Sequence, residues 1–595
     1  MFLPQIDNIA NDRVMTNTFY GYNANSVIGD GEFTDTENLT TDFFPTISVR
    51  PKRIRIKAGT DTPHGMCANE SLAYVCGTSF YYDGEKICDV TDDDKTFACM
   101  GAYICIFPDK IMYNVKSGDI KYMENKREIS GTAVIEPCTI SGAALEYSDT
   151  EPEHVDGALW LDNGVLKEWS DTYGMWTSVP TSYLRIGERV AGEFTESFKE
   201  GFFEGDVITL SGCDKKELNG DFLVYAVTDT HIVISATVYG RFIQYTHMTV
   251  ERSVPDMDFV CEHGNRLWGC SSEKHEIYSS KLGNPSNWKN YSGLVSDAYA
   301  ATVGTPGDFT GCISYGGYVL FFKENCMHRI YGDRPSDYVV SDISCRGVMK
   351  GCERSMCILN GILYYKSRQC VCAYDGSMPE SISDAFGRER YSEAAAGVYA
   401  DKYMISMKNV KEEWVTFSYD QKRGIWIKEN NFKINFFTND EGALYYMTDS
   451  EIMLVQQDYK IDGLYPGMDI GFADGIYPLC PGMMYPGQTP ENIYENDLMY
   501  MAETGDIGMD YPDYKYVSKI ILRLQIERGS YLRMEIMYDS DGIWERILDI
   551  NGTGKRSVSI PVNVRRCDHA RLRISGRGNM QIYSITKNIE QGSEI

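Results

Sequence analysis

Between Glu262 and Gly376 one grammar occurs three times in succession: HGNRLWGCSSEKHEIYSSKLGNPSNW, then VGTPGDFTGCISYGGYVLFFKENCMHRIYG, then CERSMCILNGILYYKSRQCVCAYDG. Each piece is a short apolar or alternating run, a turn rich in Gly, Asn, Asp or Pro, and a second run, the signature of antiparallel hairpins laid end to end. A chain written this way is confined to an all-β architecture of small stacked sheets. The pattern predicts blades of a β-propeller.

The same grammar precedes this stretch in LAYVCGTSFYYDGEKICDV and FACMGAYICIFPDKIMYNVKSGDIKYM, which turn at Asp83-Gly84 and at Ser117-Gly118-Asp119, and in GALWLDNGVLKEWS, which turns at Asn163-Gly164. Dipeptides of the Asp-Gly and Asn-Gly kind are the preferred two-residue hairpin turns. It resumes in AAAGVYADKYMISM, EEWVTFSYDQKRGIWIKE and NFFTNDEGALYYMTDSEIMLV, which together give about six or seven blades. First blades are expected over 61–180 and the remaining blades over 253–455. Between them Phe198 to Val238 places short strands in quick succession with Gly-Asp and Asn-Gly turns, the spacing of a small β-barrel, so 181–252 is read as an inserted barrel. The last hundred residues return to long alternating runs and read as a C-terminal β-sandwich over 496–595.

Two segments depart from the hairpin rhythm. Residues 1–60 carry few helix signals and read as an extended arm that either closes a sheet or reaches a neighbouring subunit. Within and after it, Arg50, Lys52 and the alternating RIRIK from Arg53 form a basic cluster on an acidic protein, read as a solvated or intersubunit ion-pair surface. Residues 456–495 contain DGLYPGMDIGFADGIYPLCPGMMYPG, saturated with Gly, Pro, Tyr and Met. A long apolar loop is costly to leave in water, so Tyr465, Met468, Phe472, Tyr477, Met483, Met484 and Tyr485 are candidate contacts with a neighbouring subunit or a channel, together with Arg50, Lys52 and Arg53.

Composition narrows the function. The formal net charge of −28 over 595 residues opposes condensation on nucleic acid. The 18 cysteines suggest a secreted disulfide protein, yet MFLPQIDNIANDR lacks the basic stretch and long apolar core of a leader, so reduced thiols made in a cytoplasm are expected. No apolar run approaches the roughly 20 residues of a membrane helix.

Chemistry-bearing motifs are few. FSYDQKRGIW and YDSDGIW loosely resemble the Asp box of sialidase propellers, with the wrong spacing, and read as hairpin turns whose Trp packs inward. Glycoside hydrolysis needs two carboxylates in divergent environments, and 85 acidic residues offer no way to choose a pair. Cys370 and Cys372, at strand spacing, share a face and read as core; Cys352 and Cys357, and Cys567 with His569, lack the second ligand couple of a zinc site. Asp539-x-Asp541-Gly542 lacks the remaining ligands of a calcium loop. There is no phosphate-binding Gly-rich loop and no nucleophile elbow. No catalytic residue, metal or cofactor is expected, and the chain reads as a non-enzyme.

NRLWGCSSEKHEIYSSKLGNPSNW, VGTPGDFTGCISYGGYVLFFKE and LYYKSRQCVCAYDGSMPESIS, in that order, resemble the tail-nozzle, or packaged-DNA-stabilisation, proteins of short-tailed bacteriophages. The likeness lies in a Trp-bearing strand with a Gly-x-Pro-x-x-Trp turn, a Thr-Pro-Gly turn before a strand pair, and a hairpin ending in Tyr-Asp-Gly. It covers much of Gly59 to Val455, and GEFTDTENLTTDFFPTISVRPKR looks like the start of such virion proteins. The resemblance implies a β-propeller subunit, typically hexameric, in the tail of a virion assembled in the host cytoplasm. It would extend the channel below the portal and adaptor proteins, retain packaged DNA and let it pass at ejection. A glycan-binding or glycan-cleaving propeller for host attachment is the alternative from another class.

Overall fold

In a computed structural model of the chain, the structure describes residues 11–163, 165–179, 181–196, 198, 200–238, 241–455, 495, 498–509, 514–552, 554–563 and 565–591. They divide into two compact units, one of residues 1–94, 322–327 and 344–595, the other of 95–321 and 328–343.

Among the described residues seven four-stranded sheets recur, six of them meanders of consecutive strands. The first comprises Pro63–Asn69, Ser71–Cys76, Ser79–Tyr82 and Glu85–Asp89, and the second Thr96–Met100, Tyr103–Phe107, Ile111–Asn114 and Ile120–Tyr122. The third runs from Phe259–Glu262 through Leu267–Ser271 and Glu276–Ser279 to Tyr299–Thr302, and the fourth from Phe309–Tyr315 through Tyr318–Lys323 and Cys326–Tyr331 to Val339–Ser344. The fifth is built from Cys357–Leu359, Ile362–Lys366, Val371–Tyr374 and Glu380–Ser381, and the sixth from Tyr391–Tyr399, Lys402–Asn409, Trp414–Asp420 and Ile425–Asn430. The seventh takes three strands from its own stretch, Phe436–Asp440, Ala443–Met447 and Glu451–Leu454, and its fourth, Ile54–Ala58, from before the first. Successive four-stranded meanders closed by a strand from the other end of the series are the blade pattern of a β-propeller.

Local chemistry explains the meanders. Asp83 and Gly84 both take positive φ, as a two-residue turn between Ser79–Tyr82 and Glu85–Asp89 requires. Sheets pack through apolar faces: Met66 and Tyr74 of the first meet Phe436, Met447 and Ile452 of the seventh, and Met404 of the sixth meets Leu444, Tyr446 and Met453. In the second unit Trp268, Cys270 and Ile277 of the third pack with Phe309, Val319 and Phe321 of the fourth.

Between the second and third blades the chain makes two further sheets. Leu159–Asp162, Val165–Ser170 and Met175–Ser178 form a separate three-stranded sheet, so the hairpin 157–170, expected as part of a blade, belongs to none. The other has nine strands, in the order Asn125–Ile129, Met248–Arg252, Val207–Ser211, Gly220–Val227, His231–Val238, Thr181–Val190, Thr132–Pro137 and Phe242–Gln244, with Glu193–Phe194 on Thr181–Val190. Thus the expected barrel of 181–252 also recruits 125–137. Only two residues separate Asn125–Ile129, at one edge, from Thr132–Pro137, next to the other edge, and a chain that short spans roughly 10 Å at most. The sheet therefore curls around one core, in which Ile129, Ile135, Leu184, Ile186, Ile234 and Val250 are buried. No ladder joins its two edge strands among the described residues, so the barrel-like sheet stays open.

The C-terminal sandwich is built by both ends of the chain. One sheet orders Leu39–Thr40, Ile47–Val49, Met580–Gln591, Lys515–Ile526 and Gly554–Pro561, with Asn11–Thr16 also on Met580–Gln591 and Arg566–Cys567 on Lys515–Ile526. The other orders Gly21–Tyr22, Glu32–Glu37, Met499–Thr504, Ala570–Arg577, Tyr531–Tyr538 and Glu545–Asn551. Period-two alternation puts Val517, Ile520, Leu522, Leu524 and Ile526 on one inner face, against Leu532, Met534, Ile536, Leu572 and Ile574 of the other. The expected arm is thus largely consumed within its own chain, as sandwich strands and as the strand that completes the seventh blade.

Candidate functional site

The basic cluster does not form the contact surface expected of it. Arg50 and Arg53 are buried, and only Lys52 of the three keeps partial exposure. Arg50 donates through Nε to Asn38 Oδ1 (2.9 Å) and through Nη1 and Nη2 to the two oxygens of Glu495 (2.7 and 3.2 Å). Arg53 donates through Nη2 to Glu429 Oε2, its backbone N–H donates to Glu495 Oε2 (2.9 Å), and its guanidinium lies 5.0 Å from the ring centre of Tyr446. Burial alone would raise the Glu495 carboxyl, but Arg53 and Arg50 hold it below the usual range. The Arg53 guanidinium sits among Glu429 of the sixth blade, Tyr446 of the seventh and Phe432 between them, and buried guanidinium groups persist only where carboxylates and hydrogen bonds compensate them.

The arm is fastened to the sixth blade by the same kind of contact. Lys402 Nζ donates to Thr40 Oγ1 (2.7 Å) and Asp42 Oδ1, Thr41 Oγ1 donates to Asp420 Oδ2 (2.6 Å), and Lys428 Nζ reaches Asp35 Oδ1 (2.8 Å). In the second unit, buried Arg252 donates to Asp206 Oδ2 (2.5 Å) and to the carbonyls of Met123 (3.0 Å) and Tyr122 (3.1 Å). That pins the curled sheet to the end of the second blade. Sequence reasoning missed Glu429, Glu495 and Asp206; a buried arginine demands a carboxylate, but nothing in the order of residues says which.

The remaining candidates resolve into turns and packing. Trp288 of the Gly-x-Pro-x-x-Trp turn is buried and donates to the carbonyl of Pro285 (2.8 Å). In FSYDQKRGIW, Trp426 is buried against Phe386 and Tyr419, while Asp420 is held by Arg423 (2.5 Å). Asp539 takes the backbone N–H of Asp568 (2.7 Å), and Asp541 pairs with Arg565 (3.2 Å), which is turn chemistry. Among the described residues no group of three or more His, Cys, Asp or Glu is placed to hold a metal ion. Tyr465, Met468, Phe472, Tyr477, Met483, Met484 and Tyr485 lie outside the described residues.

Two surface properties remain as candidates for function. The first is charge. Among the described residues, ten Lys or Arg side chains are buried but only six Asp or Glu, so folding leaves the exposed surface more acidic than the sequence as a whole. The second is a set of exposed apolar side chains on the segment between the second and third blades, including Val155, Tyr173 and Met175 in or near the three-stranded sheet and Phe203 and Tyr245 in loops beside the strands of the curled one. On the three-stranded sheet Trp160, Trp169 and Trp176 cluster edge to face, with centroids 5.3 and 5.5 Å apart, and His154 stacks on Trp169 at 3.9 Å. Among the described residues no helix is long and apolar enough to cross a membrane.

No protein-family model matches the chain, and no curated protein matches it. Solved structures similar in part include BamB from Moraxella catarrhalis, at 10% identity and a TM-score of 0.22 over 52% of this chain and 96% of that one. Apo AztD from Citrobacter koseri is similar at 9% identity and 0.24 over 66% and 89%. An exo-β-1,3-galactanase from Phanerochaete chrysosporium is similar at 10% and 0.18 over 55% and 94%. Scores this low support no argument about function, and the propeller rests on the strand ladders themselves.

Proposed function

We propose that this chain is a structural virion protein, a subunit of an oligomeric tail nozzle that extends the portal–adaptor channel, retains packaged DNA and lets it pass during ejection. The observation that carries the reading beyond the sequence resemblance is the charge left outside: burial takes more basic than acidic side chains out of solvent on a chain of net charge −28. A wall of like sign to the phosphate backbone guides DNA without binding it, whereas a basic wall would hold it in a salt-dependent grip. The motif residues that can be located serve turns, packing and ion pairs, which suits a protein whose work lies in how copies meet. The exposed apolar side chains between the second and third blades are the surface assigned to subunits or tail partners.

The test is assembly. Sedimentation velocity of the purified chain, alone and with portal and adaptor proteins, is expected to give a closed oligomer, most simply a hexamer, that co-sediments with them. A monomer at every concentration that binds neither protein sinks the proposal.

The glycan-binding alternative has one observation in its favour, the Trp160, Trp169 and Trp176 cluster, because aromatic rings stack on sugars. His154 covers one face of Trp169, however, and Trp176 packs edge-on against both Trp160 and Trp169. A specific glycan-array signal lost in Trp160→Ala would favour that alternative.

A further inference from the structure

The fifth blade carries a pair of thiols that neither the turn chemistry nor the ion-pair clusters use. Its second and third strands, Ile362–Lys366 and Val371–Tyr374, are joined by a turn in which the Ser367 backbone N–H donates to the Cys370 carbonyl (2.9 Å). Cys370 and Cys372 flank Val371 and point to the same side, with Sγ atoms 3.6 Å apart. The two differ in access. Cys372 is fully buried, while Cys370 is partly exposed at a recess of about 260 Å3 lined also by Arg346, Lys366, Gln369, Ser381 and Arg390. Asp384 and Glu389 are the carboxylates on its wall.

The charge around Cys370 favours its thiolate. Arg346 Nη1 lies 3.7 Å from Cys370 Sγ, and Ser367 Oγ lies 3.4 Å from it. A hydrogen bond from Cys372, followed by those from the neighbouring serines, holds the Cys370 thiol well below its ordinary range, while the same bond and burial push Cys372 up. Arg346 and partial exposure favour the thiolate at Cys370, on the open side, and burial disfavours it at Cys372. A thiolate beside a cation and reachable from solvent is the reactive kind; a buried thiol among apolar neighbours is inert.

We propose that Cys370 and Cys372 form a reversible dithiol–disulfide site, with Cys370 the attacking thiolate and Cys372 the resolving thiol, oxidised by a small anionic disulfide such as glutathione disulfide that enters the recess. The Cys370 thiolate attacks one sulfur of the incoming disulfide, forming a mixed disulfide and expelling a thiolate. Cys372 then gives up its proton, which that thiolate takes, and its sulfur attacks Cys370 Sγ. An intramolecular disulfide forms and the second small thiolate leaves, to be protonated by water. In sum, one small disulfide is reduced to two thiols as the protein loses two hydrogens. The 3.6 Å separation makes the second step intramolecular and fast, and Arg346, Lys366 and Arg390 supply positive charge for the anionic oxidant.

The experiment is peptide-resolved mass spectrometry of the full-length, reduced, folded chain exposed to glutathione disulfide at neutral pH. The wild type is expected to lose two hydrogens in the peptide holding both cysteines. Cys372→Ser is expected to accumulate a glutathionyl adduct on Cys370, and Cys370→Ser to show neither product. Arg346→Gln is expected to slow the first step roughly tenfold, by weakening thiolate stabilisation, while circular dichroism reports whether each variant keeps its strands. Reaction at Cys370 no faster than at the partly exposed Cys99 and Cys261 overturns the proposal. So does a stable glutathionyl adduct on Cys370 in the wild type, because the pair would then have failed to close.

Discussion

Arg53 shows how a single side chain decides what its neighbourhood is for. Its alternating strand predicts a basic face, but the guanidinium is buried, and Glu429 is buried with it. Removing one member of such a pair strands the other without solvent, so Glu429→Gln is expected to cost about 3–5 kcal/mol, read as a lowered urea midpoint of the first unit. Exposed Lys86→Gln, on a surface pair, serves as the near-neutral control. His231 is the second residue with a measurable consequence. Burial, followed by the charge of Arg185, lowers it from 6.5 to about 4. The folded curled sheet therefore keeps this ring neutral while the unfolded chain protonates it. Stability is intact above pH 6.5 and falls as the pH drops towards 4, by up to roughly 3 kcal/mol. His231→Gln is expected to remove that part of the acid sensitivity, seen as retained hydrogen-exchange protection of His231–Val238 at pH 4.5. Unchanged protection between variant and wild type would contradict it.

At the scale of elements, the strand Ile54–Ala58 carries more than its five residues suggest. It completes the seventh blade through pairing with Glu451–Leu454, and the residues before it supply strands to both sandwich sheets. A chain starting at residue 59 is expected to lose the fold of the first unit, with circular dichroism and exchange protection collapsing across the seventh blade and the sandwich. A truncated chain that stays folded would show that the arm is an appendage. The blades themselves were legible in the sequence because hairpin turns and alternation are local signals: Asp83-Gly84 marks its turn without reference to anything distant. That the arm closes a sheet was one of its two readings, but which sheet was not legible, since Asn11–Thr16 finds its partner in Lys587 and its neighbours at the far end of the chain. Pairing across such a distance leaves no local trace. The curled sheet was seen in part for the same reason: its strands from 181 onward follow in quick succession, whereas Asn125–Ile129 joins by pairing with Met248–Arg252. Cys370 and Cys372 were placed on one face by strand period alone, but the opening of Cys370 to a recess depends on Arg346 and Arg390, which approach from other segments.

On the scale of the whole molecule, folding leaves the acidic groups outside and closes ion pairs inside, as at Arg53 with Glu429 and Arg252 with Asp206. An acidic exterior is expected to leave duplex DNA unbound in a gel-shift at about 0.15 M salt, a condition under which non-specific DNA binders retain measurable affinity. Tight binding there would contradict a sliding wall. What a channel adds to an acidic surface is an arrangement of copies around an axis. Two-dimensional class averages of the purified assembly by electron microscopy test this most directly. Closed rings of several copies around an axial opening wide enough for duplex DNA are expected. Averages showing only single propellers, or open aggregates without an axial opening, would contradict it.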